Sequence, residues 1–239
     1  MGIQLRKYKE HSYGYSYALG ASPTIELLQN RPEDCFRVIF SPLYNDKDNK
    51  ITNLCIKNNI NIEVNEKLIN MLSPKENCYV IGAFYLIPYK IDKNKSHVVL
   101  DNPSDMGNLG AIMRSCAGFG IKDIAIIGNG ADAYNPKTIR ASMGAFFHVT
   151  IQRFPDIREY LNICGERELY AFMLNGEHNL SELQPETGIY SLIFGNESSG
   201  LDLGVYKNIG KSVVIKHSSE IDSLNLPVAV SIALFWFAK

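Results

Sequence analysis

The chain has 239 residues, 46% hydrophobic and 21% charged, with a formal net charge of −1. That length allows one large domain or two modest ones, and the apolar fraction excludes disordered, collagen-like and disulfide-scaffold classes. No stretch reaches the roughly 18–20 apolar residues of a membrane span. The first ten residues carry Arg6, Lys7 and Lys9 with no apolar segment after them, so neither an anchor nor a secretory leader is expected. Five scattered cysteines without a CxxC pair (Cys35, Cys55, Cys78, Cys116, Cys164) point to reduced thiols, a cytoplasmic location and no zinc. Residues 1–95 hold 13 Lys and Arg against 10 Asp and Glu, the remainder 11 against 15. The opposite signs point to two domains, 1–95 and 96–239.

In the first part, helices are expected over 22–30, 51–58 and 65–72, with Ser22 as the cap of the first and Pro23 behind it. Strands are expected over 36–41, 61–64 and 79–86 from their β-branched and aromatic content. The polar stretch 92–96 reads as a linker. Beyond it, six apolar runs (97–100, 123–128, 148–151, 169–174, 191–195, 212–216) alternate with helical segments over 107–118, 135–143, 156–164 and 226–238. Such alternation implies an α/β fold with a mostly parallel sheet and helices on both faces. Ligands in such sheets bind where strands end and loops begin.

Three loops follow apolar strands with small and polar residues. In the first, Asn108-Leu-Gly-Ala-Ile-Met-Arg114 opens a helix near Asn108, and the Arg114 side chain can reach back toward the loop. In the second, Phe194-Gly-Asn-Glu-Ser-Ser-Gly-Leu201 places Gly195 where a ligand could approach the backbone closely. In the third, Ser223-Leu-Asn225 precedes a helix that Asn225 can cap and whose first turn tolerates Pro227. Each alone reads as a turn, a cap or a surface arginine. The glycine fingerprints of dinucleotide and triphosphate sites, the nucleophile elbow and HExxH are absent.

Together and in this order, the three segments resemble the motifs of the SpoU/TrmH family, AdoMet-dependent RNA 2′-O-ribose methyltransferases of the SPOUT class. Arg140-Ala-Ser-Met-Gly-Ala-Phe-Phe-His148 resembles that family's connecting segment, and the likeness covers residues 97–239. The resemblance implies S-adenosyl-L-methionine as cofactor, with Leu174, Gly195, Asn196, Ile215 and Leu224 contacting it. It implies catalytic-site roles for Asn108, Arg114, Glu197, Ser223 and Asn225, and no metal. It also implies a trefoil-knotted C-terminus and a homodimer formed around it. Residues 1–95 resemble more loosely a small ribosomal-protein-like RNA-binding domain, Asn77-Cys-Tyr-Val-Ile-Gly-Ala-Phe84 most of all. The partner implied is RNA, rRNA in preference to tRNA. Lys216-His217 stands where the family has a Pro-Met type pair, and Pro227 replaces a small polar residue. A non-catalytic RNA-binding protein and a base methylator of the same class are the alternatives.

Overall fold

A computed structural model describes residues 3–10, 12–73, 77–183, 188–207 and 209–237. Its contacts form two compact units. One comprises Met1–Pro88 with Asp132–His148, the other Tyr89–Ala131 with Val149–Lys239.

In the first unit, β1 (Tyr15–Leu19), α1 (Ala21–Asn30), β2 (Cys35–Phe40), α2 (Lys50–Lys57), β3 (Asn61–Val64), α3 (Glu66–Leu72) and β4 (Val80–Tyr85) follow in order. The sheet order is β1-β4-β2-β3; β4 is antiparallel to both of its neighbours, while β2 and β3 are parallel. Tyr15, Tyr17, Ile39 and Ile81 alternate onto one face and bury against Ile69 and Leu72 of α3. Strand β1 was not among the expected elements. The first helix begins at Ala21, not Ser22: Gly20 takes φ 103 and its carbonyl accepts from Thr24 Oγ1 at 2.8 Å, so Ser22 is inside the helix.

The second unit opens with β5 (His97–Asp101), α4 (Met106–Phe119) and β6 (Asp123–Ile127). The chain then crosses to the first unit, where α5 (Pro136–Ala141) packs on β1. It returns as β7 (Thr150–Phe154), α6 (Ile157–Cys164), β8 (Glu168–Phe172), β9 (His178–Asn179), β10 (Tyr190–Phe194), α7 (Leu203–Tyr206), β11 (Lys211–Val214) and α8 (Leu226–Phe237). The expected last residue of that helix, Ala238, lies outside the described residues. The parallel sheet runs β7-β6-β5-β10-β8-β11-β9. Val99, Ala125 and Ile193 bury on one face with Tyr160 of α6 and Tyr206 of α7. The alternate residues Val98, Leu100, Ile124 and Leu192 are equally buried, and α8 packs against β10 and α4.

The stretch 92–96 is not a free linker. The Asp92 N–H donates to Asp123 Oδ1 (2.9 Å), the Asp92 carbonyl accepts from His97 Nε2 (2.9 Å), and Arg167 donates to the Lys95 carbonyl (3.2 Å). These bonds tie it to the second unit, and the contact boundary falls after Pro88. Because Arg167 Nη1 also lies 2.7 Å from His97 Nδ1 and arginine can only donate, the buried imidazole is neutral with its proton on Nε2. Burial pushes its pKa down to about 4. All five cysteines are buried and free. Among the described residues no helix is long and apolar enough to cross a membrane.

Candidate active site

The cleft lies at the carboxyl ends of β8, β10 and β11, beside the start of α8, and encloses about 340 Å³. Its volume is in the range of small-molecule sites. Leu174, Gly195, Asn196, Ile215 and Leu224 all line it, as do Glu197 and Ser223. Asn108, Arg114 and Asn225 do not, although Asn108 reaches the cleft's edge through Glu197.

Glu197 is the junction. One carboxylate oxygen accepts from the Ser104 N–H (2.9 Å) and hydroxyl (2.7 Å); the other accepts from the Asp105 N–H (3.2 Å) and Asn108 Nδ2 (3.1 Å). The loop after β10 is thereby fastened to the loop after β5. Burial pushes this carboxyl up, but the bonds from Ser104 and Asn108 outweigh it and bring the pKa down to about 2. A carboxylate so held is ionised at neutral pH and is not a proton acceptor there.

Its stabilising effect is fully present above the ordinary value of 4.5 and is lost as pH falls through about 2. Glu197→Gln replaces an acceptor by a donor facing other donors. The variant should unfold at lower urea concentration than the parent at neutral pH, and that gap should close as pH approaches about 2. A gap that persists unchanged there would deny the carboxylate this role.

Asn196 shapes the same loop. Its Oδ1 accepts from the Ser198 N–H (2.9 Å), its Nδ2 donates to the Asn102 carbonyl (2.8 Å), and its own carbonyl accepts from the Gly200 N–H (2.9 Å). The same turn bears on Gly195. A Cβ at Gly195 would overlap the Gly200 carbonyl and the Leu201 nitrogen, so the chain's own backbone already demands glycine there.

Helix α4 starts at Met106, one residue before the expected 107. Asp105 caps it, accepting the Asn108 N–H at 2.7 Å. Asn108 is therefore in the first turn, where its side chain can meet Glu197. Arg114 is exposed on α4 and makes no hydrogen bond or ion pair with the described residues. It does not reach back over the cleft of its own chain, because a helical residue six positions past Asn108 is turned well away from it. Ahead of α8, the Asn225 carbonyl accepts from Val228 N (2.9 Å) and Ala229 N (3.0 Å), so Asn225 holds the expected capping position, and Pro227 sits in the first turn.

Sequence reasoning missed the cleft's apolar floor. Phe172 and Phe194 stack at 4.5 Å with an interplanar angle of 12°, and both line the cleft. The signal available was an apolar residue closing each of two adjacent strands. It also left His217 unassigned. The ring donates from Nδ1 to the Ile215 carbonyl (2.9 Å) and lines the cleft, whereas Lys216 points to Glu182 at 3.9 Å. Among the described residues no group of His, Cys, Asp and Glu could hold a metal ion.

The donor set fits a nucleoside-like cofactor. The walls are apolar at Leu174, Phe194, Ile215 and Leu224, strand-end backbone lies between them, and the one carboxylate of the lining has its oxygens already bonded.

Residues 95–235 match the model of the SpoU rRNA Methylase family. The chain is 29% identical over 149 residues to the 23S rRNA (guanosine(2553)-2′-O)-methyltransferase RlmP of Bacillus subtilis (strain 168), covering 61% of this chain and 59% of that protein. It is 29% identical over 148 residues to the 23S rRNA (uridine(2479)-2′-O)-methyltransferase of Streptomyces viridochromogenes, covering 58% of this chain and 50% of that one. The chain thus spans little more than half the length of these relatives. Among solved structures, the AdoMet-bound rRNA methyltransferase from Sinorhizobium meliloti superposes with a TM-score of 0.79 at 25% identity, over 94% of this chain and 87% of that one.

Proposed function

Because this chain belongs to the SpoU rRNA methylase family, we propose that it is an AdoMet-dependent RNA methyltransferase that methylates a ribose 2′-hydroxyl. The observation that carries this reading is the convergence of the second and third loops on one cleft, with the first fastened to it by Glu197. Leu174, Gly195, Asn196, Ile215 and Leu224 would hold AdoMet, which supplies an electrophilic methyl carbon on a sulfonium. The loop between Gly195 and Gly200 orients it, and the apolar floor keeps water out. Glu197 and Asn108 fix the loops, and Ser223 and Asn225 set the entry to α8.

A guanidinium presents a planar fork of donors and no acceptor, so Arg114 serves as a clamp on a phosphate or on the developing oxyanion. It lies outside the cleft of its own chain, three positions from Ala111 and one from Ser115. Both of those line an apolar groove between α4 and α8. Val228, Ile232 and Phe235 are exposed along that face, and Phe119 stands 6.3 Å from Phe235. We assign the face to a homodimer, in which a second copy brings its reacting ribose to Arg114. Phe235→Asp should then yield monomers in sedimentation, with methyl transfer falling in parallel. A dimer of unchanged stability in that variant would refute the assignment. The C-terminal trefoil knot expected for the family belongs to the same proposal.

The first unit, whose residues 1–88 and 132–148 hold 12 Lys and Arg against 10 Asp and Glu, is the RNA-gripping part of this reading. The Bacillus subtilis and Streptomyces viridochromogenes relatives are 23S rRNA methyltransferases, which favours rRNA over tRNA as the substrate. The buried free cysteines suit a reducing cytoplasm. Labelled-methyl transfer onto separated rRNA and tRNA fractions tests the choice. Label confined to tRNA would overturn it.

A further inference from the structure

The first unit carries a surface that packing within the chain does not explain. Tyr13 and Tyr85 are 39% and 42% exposed at one corner of its sheet, where Tyr15 pairs across strands with Tyr85. Tyr13 stacks on Tyr15 with centroids 5.8 Å apart and 20° between planes. Tyr15 meets Phe36 edge-on at 6.0 Å, and Phe36 leans on Tyr85 at 4.6 Å. The inner rings thus hold the outer two in fixed positions with one side of each open.

Cations accompany these rings. The Arg6 guanidinium lies 5.7 Å from the Tyr13 centroid, and Arg6, Lys7 and Lys9 are all exposed on the extended segment leading to β1. Tyr15 and Tyr17 pin that segment: the Tyr15 hydroxyl accepts the Arg6 N–H, and the Tyr17 hydroxyl donates to the Arg6 carbonyl. One carboxylate, Glu10, lies in the same segment, and Arg37 is already paired with Glu63 at 3.1 Å. A hydrophobic partner protein would leave three cations without purpose, and duplex RNA offers phosphates but no open base faces. Unpaired nucleotides match both features, because bases stack on aromatic rings and arginine planes while their phosphates meet lysines.

We propose that Tyr13 and Tyr85, backed by Tyr15 and Phe36 and flanked by Arg6, form a stacking platform for unpaired bases of the RNA substrate. The platform rests on the reading that this chain acts on RNA, and it adds where and how the strand is held. No feature of the platform selects a base by its edge, so binding there is sequence-tolerant.

The test uses the full chain, a short fluorescently labelled oligouridylate at low salt, and three variants. Tyr13→Ala with Tyr85→Ala should weaken binding roughly five-fold or more, the scale of lost base stacking. Tyr13→Phe with Tyr85→Phe should bind like the parent, since the ring face and not the hydroxyl is used. Arg6→Gln should weaken binding and flatten its salt dependence. The near-ultraviolet circular dichroism and the urea midpoint should be the same in all, which reports an intact fold. Parent-like binding by the double alanine variant would overturn the platform. So would an equal loss in the double phenylalanine variant, or a preference of the parent for duplex RNA. If the parent methylates RNA while the alanine variant binds normally, only the platform fails. If the parent transfers no methyl to any RNA, the functional reading beneath it fails.

Discussion

Arg114→Ala is expected to lower methyl transfer by about 10²–10³ while leaving AdoMet affinity unchanged, the scale seen when a preorganised electrostatic stabiliser is removed. The separation follows from position. Arg114 is exposed on α4, outside the cleft that Leu174, Gly195 and Ile215 line. Arg114→Lys should recover only part of the rate, because lysine keeps the charge without the planar fork. If the guanidinium acts across the dimer, mixing Arg114→Ala with a variant deficient in AdoMet binding should restore part of the activity, through the one cleft whose cofactor and arginine are both intact. Parent-like turnover in Arg114→Ala would leave it a surface residue, and absence of complementation would place the arginine and cofactor in the same subunit.

Gly195→Ala should be the more damaging change for the cofactor. The added Cβ would coincide with the Gly200 carbonyl, so the turn between Asn196 and Gly200 must open and give up its 2.9 Å hydrogen bond. That turn forms one wall of the cleft and carries Glu197. Calorimetry should register an AdoMet affinity lowered by about ten-fold, the scale of one lost hydrogen bond in the wall. The second unit should stay folded, since its sheet and the buried faces of α4 and α8 lie elsewhere. Undiminished AdoMet binding by the folded variant would show that the cofactor does not depend on this turn.

The parts of the fold that were legible in the sequence are those encoded locally. Apolar runs over 123–128 and 191–195 became β6 and β10 because a strand buried on both faces must be apolar throughout. Helix α4 was expected over 107–118 and spans Met106–Phe119, with Asp105 as its cap. Strand β1 escaped because Tyr15-Ser-Tyr-Ala-Leu19 hides its alternation: the small residues Ser16 and Ala18 are buried as fully as the tyrosines, against the segment that begins at Asp132.

That segment was the larger omission. Tyr8 donates to Asp132, Ser16 donates to the Tyr134 carbonyl, and His148 Nε2 lies 2.6 Å from Glu26. Nothing near residues 132–148 in sequence announces partners more than a hundred positions away, so a division at 95/96 divides residues that pack together. One practical consequence is that deleting residues 1–95 would strip Phe146 and Phe147 of Phe84, which they meet at 6.0 and 5.2 Å. Charge-neutralising variants of Arg6, Lys7 and Lys9 therefore test RNA gripping more cleanly than truncation does.

For the site, the residue types were legible and their reasons were not. Gly195 was expected beside a ligand, and the turn it closes also leaves no room for a side chain. Glu197 was expected at the catalytic site, and it fastens the loop after β10 to the loop after β5. Such roles depend on which loops meet, which is a property of strand order β5-β10-β8-β11 and not of any single motif.

In the proposed reaction a methyl group passes from AdoMet to a ribose oxygen of RNA. The most direct measurement is incubation of the full chain with labelled AdoMet and unmodified rRNA, followed by nuclease and alkaline digestion and mapping of the labelled nucleotide. Label is expected in an alkali-resistant dinucleotide, where a 2′-O-methyl blocks cleavage, with none transferred to DNA of the same sequence. Label on a base, or equal transfer to DNA, would contradict it.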